Sequence, residues 1–211
     1  MIDRTRRARL IGAVVFPAVG LACGLLSRAV RPAAGAATTT TAASSRPTFS
    51  PAFPAMTYYD QSCANCHGPH GSFYGPTLGN DLTDAALVRK CRDMAKGPGN
   101  APLEPDDNLV VAAYHRSLIR GTPFLSVTSV ADGQWAGEAT AGAKVTLRVN
   151  GGRPVVAAVD DWNWTAALPA DTAPEAVVID ATLNGKTTQL RPADSAWSDT
   201  APLPPPDRRT R

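Results

Sequence analysis

The sequence predicts α and β structure in separate domains, a small all-α unit followed by an all-β sandwich. Two observations carry that expectation. Between residues 83 and 119 apolar side chains recur at the 3.6-residue period of helices facing a core. Beyond Gly121-Thr122-Pro123 the pattern changes to short β-rich runs split by Asp-Gly, Gly-Gly and Asn-Gly turns. At 211 residues the chain can hold one or two such units, each with a modest core. Five segments are expected: a signal or membrane anchor at 1–27, a disordered Ala/Thr/Pro/Ser linker at 28–57, the helical unit at 58–122, the sandwich at 123–192 and a disordered tail at 193–211.

Residues 1–9 carry Arg4, Arg6, Arg7 and Arg9, and an apolar run continues from Leu10 to Leu26. A basic stretch before an apolar segment is the pattern of a secretory leader. The run is long for a cleaved signal and just short of the ~20 residues of a comfortable membrane span. Arginine on the cytoplasmic side orients the remainder outward. Gly20-Leu21-Ala22-Cys23-Gly24 is similar to a lipoprotein cleavage site, except that glycine stands three positions before Cys23. Thr5-Arg6-Arg7 is similar to a twin-arginine signal. The expectation is an exported chain, tethered to the membrane by its N-terminal helix or by a lipidated Cys23. The alternative for Cys23 is an ordinary small residue of an apolar helix. The linker that follows has almost nothing to bury, and a flexible chain of its length spans about 30 Å.

The formal charge of +3 is unevenly placed, because the first 57 residues hold seven Arg and one Asp. The basic character is an export feature and offers no nucleic-acid surface.

The helical unit is organised around Cys63-Ala64-Asn65-Cys66-His67. Two cysteines two residues apart, followed at once by histidine, are the attachment signature of a c-type haem. Each thiol adds to one vinyl group of the porphyrin, and the adjacent imidazole becomes the proximal iron ligand. A zinc half-site and a thioredoxin-type dithiol are the bland alternatives. Zinc would want a second Cys or His pair, and only Cys91, His70 and His115 remain downstream. The dithiol would want a strand-helix-strand context, which is missing. Four cysteines do not read as a disulfide framework, since two lie in the motif and Cys23 in the leader.

The flanks of the motif match one family. Tyr59 through Leu118 resembles a small class I cytochrome c domain, in Tyr59, Cys63-Ala64-Asn65-Cys66-His67-Gly68, Gly71, Gly75-Pro76-Thr77-Leu78 and a last helix carrying Ala113-Tyr114. The resemblance covers about a third of the chain. It implies a small all-α haem fold and one covalent haem c held by Cys63 and Cys66, with His67 as proximal iron ligand. It further implies that Pro76 and Leu78 pack on the haem, with the Pro76 carbonyl accepting the proton on the far nitrogen of His67. Such a bond would fix the ring and raise its basicity. Electron transfer with redox proteins or a respiratory membrane complex is the implied role. The implied location is extracytoplasmic, in the bacterial periplasm or at the cell surface.

On the distal side the sequence departs from the family. Where Met-Pro is expected before the last helix, the chain reads Gly99-Asn100-Ala101-Pro102-Leu103. Met94 is the first candidate for the sixth position, because it precedes this loop and shares a helix face with Leu87, Val88, Cys91 and Ala95. Its alternative role is core packing. Cys91 could supply a thiolate, or remain an inert buried thiol. His115 could also bind, although a surface histidine on a helix is the commoner case. His70 is too close in sequence to His67 to reach the opposite face. An open or water-bound iron completes the list.

The element order follows. Tyr58 to Ser62 should be a short helix entering the motif. Thr83 is expected to cap the next helix, with Asp84 in its first turn, and Gly97-Pro98 to stop it. The last helix should run from about Pro105 to Ile119 and bury Val110, Ala113, Tyr114 and Leu118. Strands are expected over 125–130, 134–139, 144–149, 155–159, 163–168, 177–183 and 187–190. Val145, Leu147 and Val149 alternate with Lys144, Thr146 and Arg148, so one face is buried. Residues 137–147, with Asp161-Trp162-Asn163-Trp164-Thr165 and Leu168-Pro169, resemble bacterial Ig-like repeat domains. One of Trp162 and Trp164 should plug the core and the other point outward, where it could stack on a sugar or cover a sheet edge.

These readings favour an electron carrier over an enzyme, with no catalytic residue assigned. The competing classes are a haem-containing redox enzyme subunit, a haem sensor with an open or Cys-ligated iron, and a structural surface protein.

Overall fold

The computed structural model describes residues 49–79, 81–199 and 203. The expected leader, Cys23 and most of the expected linker and tail lie outside the described residues. Among the described residues no helix is long and apolar enough to cross a membrane.

Four helices come first: α1 (Ala55–Ser62), α2 (Ala64–His67), α3 (Asp84–Lys96) and α4 (Pro105–Arg120). Thr83 caps α3 by accepting the Ala86 backbone N–H at 3.2 Å. Gly121 closes α4 in the left-handed conformation, φ 60°, which glycine adopts without strain. Eight strands follow: β1 (Leu125–Ala131), β2 (Gln134–Ala139), β3 (Lys144–Val149), β4 (Val155–Val156), β5 (Ala158–Asp160), β6 (Asn163–Ala167), β7 (Val177–Leu183) and β8 (Lys186–Leu190). They form two antiparallel sheets, ordered β1-β2-β6-β5 and β4-β3-β7-β8. The run expected as one strand at 155–159 divides at Ala157 and contributes an edge to each sheet.

The core of the two sheets centres on Trp135, Trp164, Val145, Leu147 and Ile179. Trp164 is the plug, and its indole N–H donates to the Ser126 carbonyl at 3.2 Å. Trp162 packs instead against the helices, donating to Thr57 Oγ1 at 3.2 Å. Gly137 lies opposite the bulge of β1 between Val127 and Ser129. A Cβ there would sit 1.8 Å from the Ser126 carbonyl oxygen and 2.7 Å from the Trp164 ring. Gly137→Ala is therefore expected to destabilise the protein by about 3 kcal/mol or more, read as a shift in urea midpoint, because the Ser126 backbone on one side and the buried Trp164 ring on the other must give. A change below about 1 kcal/mol would show that the sheets yield there.

The described residues are not divided into separate α and β domains, the expected class. The described residues all fall in one compact unit of mixed α and β structure. The core around the helices takes Phe124, Trp162, Ala196, Trp197 and Leu203 from the chain beyond them, so the helices are not a small all-α cytochrome c domain with a core of their own. The Ala52 N–H donates to the Val127 carbonyl at 2.8 Å, and Lys186 Nζ donates to the Gly121 carbonyl at 2.8 Å. The physical reason is that α4 is buried nearly all round: Asn108, Val110 to Ser117 and the space beneath them need cover on both faces.

The ends expected to be disordered supply part of that cover. Ala52 and Met56 are in the core, and Phe49 packs against both clusters. In the tail, Ser198 Oγ accepts the Leu125 N–H at 2.9 Å and Trp197 bridges to Ser126. Arg120 pairs with Asp199, and Arg116 donates through two guanidinium nitrogens to Asp84. That bidentate contact holds the Asp84 carboxyl below the usual carboxylate range.

Candidate functional site

Helix α1 runs into the Cys63-to-His67 motif with no loop between them. The Cys63 N–H closes α1 on the Tyr59 carbonyl at 2.8 Å, and the same residue opens α2, accepting the His67 N–H at 3.0 Å. Cys63, Cys66 and His67 thus share one turn of backbone. Gly68 then reverses the chain at φ 76°, where a Cβ would meet Ser72 and the Phe73 ring.

Beside this turn is a cleft of about 210 Å³, walled mainly by Tyr58, Cys63, His67, Tyr74, Leu78, Leu82, Leu87, Cys91, Met94, Ala95, Val111 and His115, with Gly79 and the charged Asp81 and Lys90 also lining it. It gathers most of the residues singled out from the sequence. Cys63 is half-buried and lines it; Cys66, two residues on, is exposed. Burial pushes the Cys63 thiol up, and the neighbouring Cys66 sulfur adds to the shift. Leu78 lines the cleft, whereas Pro76 is exposed and borders a separate shallow pit with Gly71, Tyr74 and Leu118. The structure does not bring the Pro76 carbonyl to His67; the ring of Tyr74 lies against His67 instead, 4.8 Å between centroids and tilted by 32°.

Three distal candidates also reach the cleft, in different states. Cys91 is 8 % exposed, and burial pushes its thiol up to about 12. Met94, expected on the buried face of α3, is 36 % exposed and sits at the edge of the cleft. His115, expected at the surface, is buried because the other elements close over α4. Its Nδ1 stands 2.8 Å from the Val111 carbonyl and its Nε2 3.0 Å from the Tyr74 hydroxyl. Burial holds its pKa below the usual imidazole value. His70 turns away, with its ring on Trp162 and its Nε2 3.8 Å from the Asp161 carboxylate.

Sequence reasoning missed Tyr58, Tyr74 and Val111. Tyr58 donates to the Ala101 carbonyl at 2.5 Å and so pins the loop in which a methionine was expected. Val111 and His115 are four apart on α4, the spacing that puts two side chains on one face, so that signal was present. Tyr74 carried none, since its partner lies 41 residues away.

Among the described residues no three His, Cys, Asp or Glu side chains converge as a metal cage. A porphyrin brings four ring nitrogens and needs only axial donors from the chain. Two thiols and an imidazole on one turn, beside a mainly apolar cleft that Asp81 and Lys90 also line, therefore fit a covalently attached haem. Comparison with protein-family models, curated proteins and solved structures finds no match.

Proposed function

We propose that this is an exported, membrane-tethered monohaem c-type electron carrier. Cys63 and Cys66 hold one haem c covalently, and His67 binds its iron. The observation that carries the reading is the placement of Cys63 and His67 on one turn, both lining the same apolar cleft. The haem supplies a one-electron couple when bound. The chain supplies position and dryness. Tyr74 lies against the His67 ring and limits its rotation, and Tyr58, on the cleft wall, holds the 97–103 loop through the Ala101 carbonyl. Leu82, Leu87 and Val111 exclude water, which favours the uncharged donors. The N-terminal helix or lipidated Cys23 is the proposed anchor. Redox proteins or a respiratory membrane complex outside the cytoplasm are the proposed partners.

Matured in a host that attaches haem, the purified protein should keep its haem through denaturation and acid-acetone extraction. Complete release on extraction overturns the proposal.

Met94 is the proposed sixth ligand. A thioether binds without losing a proton, and Met94 stands at the cleft beside the 97–103 loop in which the family carries its methionine. The ferric protein should show the weak far-red sulfur-to-iron band, Met94→Ala should remove it, and the reduced wild type should resist carbon monoxide. The exposure of Met94 favours a second reading, an open iron serving a redox enzyme subunit or a sensor. Ready binding of carbon monoxide by the wild type would select that reading; a spectrum altered by Cys91→Ala alone would select the thiolate.

A further inference from the structure

We propose that Tyr74 and His115 form a redox-active phenol–imidazole pair, in which Tyr74 gives an electron to an oxidised haem as its phenol proton passes to His115. The inference rests on the haem reading above in its open-iron form, which the exposure of Met94 favours and which leaves a position for a hydroperoxide, and it adds an activity: discharge of the oxidising equivalents that the hydroperoxide leaves on the haem.

The protonation pattern follows from the partners. A carbonyl only accepts, so the contact of His115 Nδ1 with the Val111 carbonyl at 2.8 Å places the ring hydrogen on Nδ1. Nε2 then carries a lone pair and must accept at 3.0 Å from the Tyr74 hydroxyl. His115 is thus a fixed, neutral base aimed at one phenol. Both side chains line the cleft of the attachment turn, and the Tyr74 ring lies 4.8 Å from that of His67. This is van der Waals reach, over which an electron tunnels readily. The rings of Tyr59 and Tyr114 meet His115 edge-on, both with centroids at 5.7 Å, and keep the imidazole dry.

Oxidising a phenol inside a protein is costly unless the proton leaves with the electron, because a phenol radical cation is a strong acid with nowhere to ionise. His115 removes that obstacle. One electron leaves Tyr74, its Oη proton moves to Nε2, and a neutral phenoxyl beside an imidazolium remains. The hydroperoxide breaks its O–O bond and takes two electrons, one from Tyr74 and one from the haem, while solvent protons complete water and alcohol. A buried imidazolium is disfavoured, so the proton returns to Tyr74 when a donor refills the phenoxyl.

The test has two arms. In the first, ferric protein whose covalent haem has been verified on a denaturing gel is mixed with hydrogen peroxide, frozen and examined by electron paramagnetic resonance. A radical signal that narrows with ring-deuterated tyrosine and is lost in Tyr74→Phe is expected. An undiminished signal in that variant overturns the proposal. In the second, a flash-generated ruthenium(III) complex oxidises the full chain from outside, with no need of haem. Tyrosine oxidation should depend on Tyr74, slow in heavy water, and slow about tenfold or more in His115→Gln, which keeps an acceptor but no base. Equal rates in that variant, or no tyrosyl radical in the wild type, overturn the pair. Tyr74→Phe removes only a hydroxyl, and its thermal melt separates loss of the radical from loss of the fold. A chain without covalent haem would sink the electron-carrier reading alone, because the second arm still judges the pair.

Discussion

Cys63→Ala together with Cys66→Ala is expected to abolish covalent haem, leaving at most a pigment that organic extraction removes. The two single variants should differ. Cys63 lines the cleft and is half-buried, while Cys66 is exposed on the same turn. Loss of Cys63 removes the link on the side where the walls grip, so Cys63→Ala should retain less haem than Cys66→Ala. Each surviving single variant keeps one vinyl group, and its reduced pyridine spectrum should shift to the red of the wild type. The measurement is haem retained per chain after acid-acetone extraction, with that spectrum alongside. Full retention in the double variant would remove these two thiols from any role in attachment.

Much of this site could be read in the sequence because its information is local. The motif spans five residues, Thr83 caps its helix three positions on, and the period of α3 and α4 announces an inward face. What failed to show was the set of long-range contacts. Met94 has the spacing of a buried residue, yet the structure leaves it partly exposed at the edge of a cleft, a distinction that period alone does not make. His115 has the composition of a surface position, and only the cover over the far face of α4 buries it. The Pro76 contact implied by family resemblance is replaced by the Tyr74 ring.

The strands tell the same story at larger scale. Alternation and turn residues marked their positions, since both signals lie within a few residues of one another. The assignment to a separate domain failed because Phe49, Ala52, Trp162, Trp197 and Leu203 are single anchors in segments whose average composition is that of linker, turn or tail. Averaging over a window hides one buried aromatic among prolines, alanines and serines. The closest tie between helices and sheets is a carboxylate on a strand, and nothing in its neighbourhood marks it as a helix cap.

That carboxylate is Glu138 of β2, 1 % exposed. Its oxygens accept the Met56 N–H at 2.8 Å, the Thr57 N–H at 2.9 Å and the Thr57 hydroxyl at 2.6 Å. Helix α1 starts after Pro54, which has no side-chain acceptor to offer, so a residue 81 positions away supplies the cap. The negative charge also lies at the positive end of the helix that leads to Cys63. Glu138→Ala should leave the buried Met56 N–H and the part-buried Thr57 N–H without partners and cost about 3–5 kcal/mol. Glu138→Gln keeps one acceptor oxygen and should cost less. In urea both variants should lose midpoint with little change in slope. The haem absorbance and the far-ultraviolet signal of the sheets should fall in one transition, because the cap belongs to both layers. Two transitions, or a loss below about 1 kcal/mol, would mean that α1 holds its place without the strand. A single shifted transition would make the strand residue a determinant of where the attachment turn stands, since α1 passes into that turn through the Tyr59 carbonyl and the Cys63 N–H.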